Sequence, residues 1–241
     1  MIRFFVEPPD ISNGIVRLKP EDAEHIRVLR MRPAEQFIVC DGEGIDYICR
    51  LGGRSEGSIA EIIGTQPSRG EPTIRCSVYI ALAKGDRLDY AVQKSVELGA
   101  RDIALFPSKR CVSVPADMKN KLFRLRKISE ETAKQCDRGR IPQVNALNSF
   151  EEAIGQAALA ELPLFFYELE DKLHLKQALE LHDNIQSASI VTGPEGGFEQ
   201  SEADYAHSSG MIAVTLGPRI LRCETAPAAA LAAVMYHTGN L

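Results

Sequence analysis

No stretch of the 241 residues approaches the run of about 20 apolar residues that spans a bilayer. The segment from Met1 to Pro9 has one arginine and no apolar core, so a signal peptide is not expected there and a cytoplasmic location is. The six cysteines (Cys40, Cys49, Cys76, Cys111, Cys136 and Cys223) include no C-x-x-C pair and no zinc-like spacing. Cys40 and Cys49 could face each other across a hairpin, but reduced, buried thiols are the expected state in a cytosolic protein. The five histidines form no H-x-x-x-H, and no metal site is expected. The phosphate-loop pattern G-x-x-x-x-G-K-[ST] and the dinucleotide pattern G-x-G-x-x-G are both missing, which removes the usual support for nucleotide hydrolysis or hydride transfer.

Apolar content of 44% and charged content of 25% are those of an ordinary globular protein, long enough for one large domain or two smaller ones. A net charge of −5 argues against a protein that simply coats nucleic acid. The charges are unevenly placed. Lys109 to Arg140 holds ten basic against four acidic residues, whereas Phe150 to Gly210 holds two against twelve. The basic stretch fits either a local polyanion contact or a solvated helix face.

Residues 1 to 70 are β-rich, with β-prone runs at Ile2–Val6, Gln36–Cys40, Ile45–Arg50 and Ser58–Ile63 separated by glycine turns. One helix is expected at Pro20–Arg30, with acids in its first turn and bases in its last. The segment Gln66–Pro72 breaks every pattern and marks the expected boundary between domains 1–70 and 71–241. Beyond it, strands and helices alternate. Strands are expected at Thr73–Ala81, Asp102–Phe106, Leu162–Tyr167, Ala188–Thr192 and Met211–Leu216. Helices are expected at Arg87–Leu98, Lys119–Gln135, Asp171–Leu181 and Thr225–His237. The alternation predicts an α/β fold with a mostly parallel sheet covered by helices on both faces.

Two segments carry the chemistry: Gly193-Pro194-Glu195-Gly196-Gly197-Phe198, and Leu216 to Ala226 with the sequence LGPRILRCETA. Each follows an apolar strand and precedes a helix, the position at which open α/β sheets bind ligands. The glycines let backbone N–H groups approach a ligand, and Glu195 disfavours a phosphate. As structure alone, the first segment is a tight turn. In the second, Thr225 serves as an N-cap and Pro227 suits the first helical turn. Arg219 and Arg222 have no such explanation; one is expected to pair with Glu224 or Glu195, the other to face an electron-rich substrate.

Together these segments closely resemble the SPOUT superfamily of RNA methyltransferases, and within it the bacterial 16S ribosomal RNA uridine N3-methyltransferase family. The resemblance extends over the chain: Lys84-Gly85-Asp86-Arg87 with Gln93–Gly99, Pro107-Ser108-Lys109-Arg110-Cys111, and His25–Arg32 look like further blocks of that family. Two departures stand out. Asp137 replaces a usual glycine, and Pro33-Ala34-Glu35-Gln36 replaces a Gly-Asp-containing turn.

The resemblance implies a C-terminal trefoil-knot α/β domain behind a small PUA-like RNA-binding barrel. It implies S-adenosyl-L-methionine as cofactor, held by Glu168–Glu170, Thr192, Gly193, Pro194, Glu195, Gly196, Gly197, Leu216, Gly217, Ile220, Leu221, Arg222, Glu224, Thr225 and Ala226. It further implies a homodimer acting on 16S rRNA in the small ribosomal subunit. Arg222 is then expected to stabilise the uridine anion, with Glu195 as general base. Arg27, Arg30, Arg32, Lys109, Arg110, Arg138 and Arg140, with the helix Lys119–Lys134, are expected to contact RNA. Alternatives are methylation of a ribose 2′-OH or another base, and a non-catalytic RNA-binding assembly factor.

Overall fold

The computed structural model describes residues 1–32, 35–51, 58–112, 117–182 and 184–241. It separates into two compact units, Met1–Glu71 with Ala133–Ile141, and Pro72–Thr132 with Pro142–Leu241. The stretch 133–141, assigned by the linear division at residue 70 to the second domain, thus belongs with the first unit. Pro33 and Ala34, half of the expected turn at Pro33–Gln36, lie outside the described residues.

The first unit is a six-stranded sheet in the order β1 (Arg3–Phe5), β4 (Gln36–Cys40), β5 (Ile45–Leu51), β6 (Ile59–Pro67), β3 (Ile15–Arg17) and β2 (Ile11–Ser12). Only β1 and β4 pair in parallel; the other pairs are antiparallel. Helix α1 (Pro20–Val28) closes a core containing Phe4, Val16, Ile26, Phe37 and Val39, with Phe4 and Phe37 edge to face at 5.7 Å. The β2–β3 hairpin is absent from the sequence-based expectation although Asn13-Gly14 signals it. Both residues have positive φ, 50° and 77°, as the tight turn between two twisted strands requires.

The second unit is a six-stranded, wholly parallel sheet in the order β12 (Ile212–Val214), β10 (Leu162–Phe166), β11 (Ser187–Thr192), β7 (Arg75–Ala81), β8 (Asp102–Phe106) and β9 (Gln143–Ala146). Helices α2 (Arg87–Glu97), α5 (Leu175–Glu180) and α7 (Thr225–His237) pack together, and α7 lies on β7 and β11. Helices α4 (Phe150–Ala157) and α6 (Gln200–Ser208) pack with each other and cover the sheet through contacts with β7, β8, β11 and β12. Strand residues alternate between faces. Tyr79, Ala81, Phe165 and Val191 join Phe106, Phe150 and Phe198 in one cluster, while Val78, Ile80, Leu164 and Ile190 between them are also buried.

Three expectations for this unit need correction. Strand β9 and helix α4 were not expected, although Ser149-Phe150-Glu151-Glu152 has a capping pattern, and Ser149 Oγ accepts the Glu152 N–H at 3.1 Å. The helix expected over Asp171–Leu181 is confined to α5. Glu170 Oε1 accepts the N–H groups of Lys172 and Leu173, which holds that stretch in a side-chain-bonded loop. The basic helix is α3 (Met118–Gln135), near its expected bounds. No helix among the described residues is long and apolar enough to cross a membrane.

A buried polar cluster ties the first unit together. Arg3 forks onto both carboxylate oxygens of Asp46 at 2.7 and 3.0 Å, and the Ser68 hydroxyl donates to the same carboxylate. Arg3 also reaches Asp137 at 3.4 Å, and Asp137 holds the positive φ, 59°, that explains the family's preference for glycine there. Burial alone would raise the Asp46 pKa, but bonds from Arg3, Ser68 and Cys40 outweigh it and hold the carboxyl below its ordinary value. Its stabilising contribution is therefore complete above the unfolded value near about pH 4 and is lost as pH falls through the lower folded value. Asp46→Asn leaves Arg3 buried beside a neutral partner and should cost about 3–5 kcal/mol. Thermal unfolding against pH should show that loss at neutral pH and a shallower decline on the acid side than in the wild type.

Candidate functional site

Strands β12, β10 and β11 are adjacent and parallel, so the loops after them emerge at one edge of the second unit's sheet. The chain reverses its order of strands here: β7, β8 and β9 run outward to one edge, and β10 restarts on the other side of β7 and β11. Such a reversal leaves a crevice that no crossover fills. A cavity of about 1120 Å³ opens there, lined by the loops 167–171, 193–197 and 215–224.

The first motif is pinned at its end. Phe198 is fully buried, 4.5 Å from the Phe165 ring and 5.7 Å from that of Phe150. Its N–H donates to Glu168 Oε1 at 2.9 Å, joining the β10 loop to the β11 loop. Gly197 sits at φ +67°, a backbone angle that favours glycine, and a Cβ there would lie 1.8 Å from Glu168 Oε1 and would displace that carboxylate. Arg110 completes the corner, donating to the Gly196 carbonyl at 3.2 Å.

In the second motif, Thr215 N–H donates to Leu173 O and Leu175 N–H to Thr215 O, each at 3.0 Å, which draws the β12 loop against the β10 loop. The Arg222 carbonyl accepts from Thr225 and Ala226 at 2.8 and 2.9 Å. The N-cap of α7 is accordingly Glu224, not Thr225, which occupies the first helical position. The expected pairing of Arg219 or Arg222 with Glu195 or Glu224 is also corrected. Both carboxylates face Arg87, at 3.7 Å for Glu224, and Glu195 additionally accepts the Lys84 N–H at 3.0 Å. Arg219 and Arg222 are exposed on the cavity wall, and their guanidinium groups have no hydrogen-bond or ion-pair partner among the described residues.

Of the residues expected to hold a cofactor, Thr225 alone is not on this wall; it faces an adjoining depression with Lys84, Asp86 and Arg87. Sequence reasoning missed Arg87, Tyr167, Asp171 and His174 as lining residues. Arg87 was visible inside Lys84–Arg87, but nothing local links it to residues more than a hundred positions away.

Electrostatics narrow the chemistry. Burial raises the Glu195 pKa, but bonds from the Lys84 and Glu195 backbone and from Arg87 lower it further, leaving the carboxyl below its usual value. An ionised carboxylate already committed to a guanidinium is a weak proton acceptor, which counts against the general-base role expected for it. Burial and the Glu224 hydrogen bond push the Cys223 thiol up to about 12, and burial raises Cys111 as well. Neither sulfur is a thiolate nucleophile at neutral pH. None of the six cysteines is in a disulfide. No cluster of metal-ligating side chains occurs among the described residues.

The residues expected to contact RNA divide into two kinds. Arg27, Arg30 and Arg32 of the first unit are exposed. Arg138 is 2% exposed and forks onto Glu71 at 2.8 and 3.1 Å, so its expected phosphate contact is replaced by a structural one. Glu71 also accepts the N–H groups of Gly139 and Arg140, and the Arg140 guanidinium donates to the Glu43 carbonyl. In the second unit, Lys109 binds Ser201 at 2.8 Å and Arg110 belongs to the cavity wall.

Gly197→Ala should cost about 1–3 kcal/mol, from an unfavourable φ plus displacement of the Glu168 hydrogen bond. Thermal unfolding should report the loss, and exchange of the Phe198 amide hydrogen should accelerate.

Comparison with known proteins agrees with this geometry. An RNA methyltransferase domain matches residues 70–235, and an RNA methyltransferase PUA domain matches residues 18–63. A ribosomal RNA small subunit methyltransferase E of Bacillus subtilis is 34% identical, covering 90% of this chain and 88% of its own. One from Mesomycoplasma hyopneumoniae is 33% identical over 94% and 95%. The crystal structure of a ribosomal RNA small subunit methyltransferase E from Neisseria gonorrhoeae, bound to S-adenosyl methionine, superposes with a TM-score of 0.81 at 31% identity, covering 98% of this chain and 97% of that one. The present chain, a mixed α/β protein with a PUA domain, therefore belongs to the RNA methyltransferase family that includes the ribosomal RNA small subunit methyltransferases E.

Proposed function

We propose that this protein methylates N3 of a uridine in 16S ribosomal RNA, using S-adenosyl-L-methionine, in the bacterial cytoplasm. The observation that carries the reading is the cavity at the ends of β12, β10 and β11, walled by two motifs whose wall is largely backbone and apolar side chain. The residues fit the cofactor: Gly217, with nothing within 4 Å of where a Cβ would stand, leaves open space on the wall, and Leu169, Leu216, Ile220 and Leu221 supply apolar walls for a flat base. Glu168 and Asp171 add negative charge, which suits a ligand bearing a sulfonium and an ammonium. Thr192, Gly193–Gly197, Leu216, Gly217, Ile220–Arg222, Glu224 and Ala226 would hold it, with Thr225 starting the helix behind them. When bound, the cofactor supplies an electrophilic methyl group on sulfur.

The protein's own part is to make N3 nucleophilic. A uridine N3 carries a proton, and losing it to solvent water places negative charge on the ring oxygens. Arg222, on the cavity wall and with no partner for its guanidinium among the described residues, stabilises that anion through a charge already in place. Glu195 acts through structure, since its carboxylate is tied to Arg87.

RNA contacts fall on cations that the fold leaves available. On α3, Lys119 and Lys127 are exposed with no ion-pair partner among the described residues, whereas Lys121 and Arg124 are engaged with Asp89 and Asp86. A homodimer is part of the proposal. Helix α7 carries no charged side chain before His237, and Tyr236 at its end is 75% exposed, as are Ile220 (86%) and Leu169 (68%) on the neighbouring loops. A helix apolar on all sides calls for cover on its outer face, and a second copy supplies it.

Small subunits lacking the modification, incubated with methyl-labelled cofactor and then digested, should yield label in 3-methyluridine; label in a 2′-O-methyl nucleoside would sink the N3 assignment. Arg222→Ala should lose roughly 100-fold or more in single-turnover rate at saturating cofactor. A near-normal rate would remove Arg222 from the reaction. Lys119→Ala with Lys127→Ala should leave thermal stability unchanged and reduce the slope of log affinity against log salt by roughly one per lost phosphate contact.

A further inference from the structure

One guanidinium stands between the two motifs. Arg87 Nη1 pairs with Glu195 Oε1 of the 193–198 loop, and Arg87 Nε lies 3.7 Å from Glu224 Oε2 at the start of α7. The three side chains are 36%, 21% and 22% exposed, so the attraction is only partly screened by solvent. Glu195 and Glu224 therefore share one cation, and without it two carboxylates of like charge would face each other.

The base of this arrangement is itself held. Arg87 is the first residue of α2, whose N-terminal region is tied to α3. Lys121 Nζ binds Asp89 at 3.1 Å and the Gly85 carbonyl at 3.3 Å, and Arg124 reaches Asp86 at 3.4 Å as well as Asp89. Charges thus alternate from α3, through the start of α2, to the two loops. Glu224 stands at the N-cap position of the helix whose first N–H groups bind the Arg222 carbonyl, two residues away, so the placement of Glu224 bears directly on that of Arg222.

We propose that Arg87 is a positioning residue, which clamps Glu195 and Glu224 and thereby sets the spacing of the two cavity loops and the placement of Arg222. The clamp acts through the loops, not on the reacting atoms. It rests on the S-adenosylmethionine reading only for the identity of the ligand; the mechanical role is a property of the ligand-free protein.

The test uses the full chain. In ligand-free protein, Arg87→Ala should speed amide hydrogen exchange across 193–199 and 222–226 while leaving β7 and β11 as protected as in the wild type. Affinity for S-adenosylmethionine by calorimetry should fall about ten- to thirtyfold, the scale of one or two charge-assisted bonds between partly exposed groups. Arg87→Lys, which keeps the charge but not the fork, should recover part of the loss. Adding Glu195→Gln and Glu224→Gln to Arg87→Ala should also recover part, because the repulsion is gone. Unchanged loop exchange in Arg87→Ala overturns the proposal, as does acceleration spread evenly over the sheet or a triple variant no better than the single. Should the alanine variant fail to fold, Arg87→Lys against wild type carries the same comparison of loop exchange. Wild-type protein that does not bind S-adenosylmethionine would sink the cofactor reading, while the exchange data would still decide the role of Arg87.

Discussion

The burial of one aromatic ring anchors the site. Phe198 sits among Phe106, Phe150 and Phe165 between the parallel sheet and α4, and it is also the last residue of the glycine loop. Taking that ring out of water fixes where the loop must end, at an apolar gain of roughly 2–3 kcal/mol. The Glu168 carboxylate then sets how it ends, by accepting the Phe198 N–H and occupying the place a Cβ at Gly197 would take. The cavity is what remains when a loop pinned at Phe198 and a loop bridged to the β10 turn at Thr215 cannot fill the gap at the strand-order reversal.

Charge is divided by burial into two functions. Arg3, Arg138 and Arg87 are spoken for by Asp46, Glu71 and the Glu195–Glu224 pair, and each joins segments far apart in sequence. The side chains of Arg222, Lys119 and Lys127 have no ion-pair or hydrogen-bond partner among the described residues and are available to a ligand. Which arginine belongs to which group is not a matter of residue type, since Arg138 and Arg140 stand in a stretch as basic as the one containing Lys119 and Lys127.

Much of the second unit was legible in the chain. Its apolar strand runs and glycine-marked loops match the structure at β7, β8, β10, β11 and α7, because a parallel strand buried on both faces must be apolar throughout. The Ser149 capping pattern and the Asn13-Gly14 turn are equally local signals. The loop before α5 was hidden for a different reason: helix-compatible residues were diverted by Glu170, whose carboxylate competes for the backbone N–H groups. Similarly, 133–141 joins the first unit through Glu71, a contact that composition along the chain does not register.

Local order fixes which backbone shapes are available, so the two motifs, the parallel sheet and the family were open to reading from residues alone. Pairing at a distance was not. That Glu195 faces Arg87 and not Arg222, and that Thr225 begins a helix with Glu224 at its N-cap position, follow from strands β12, β10 and β11 lying side by side and α2 packing on α7, whereas Arg138 is buried by its pairing with Glu71 inside the first unit. Desolvation and Coulomb attraction depend on separation in space, and separation along the chain says little about it.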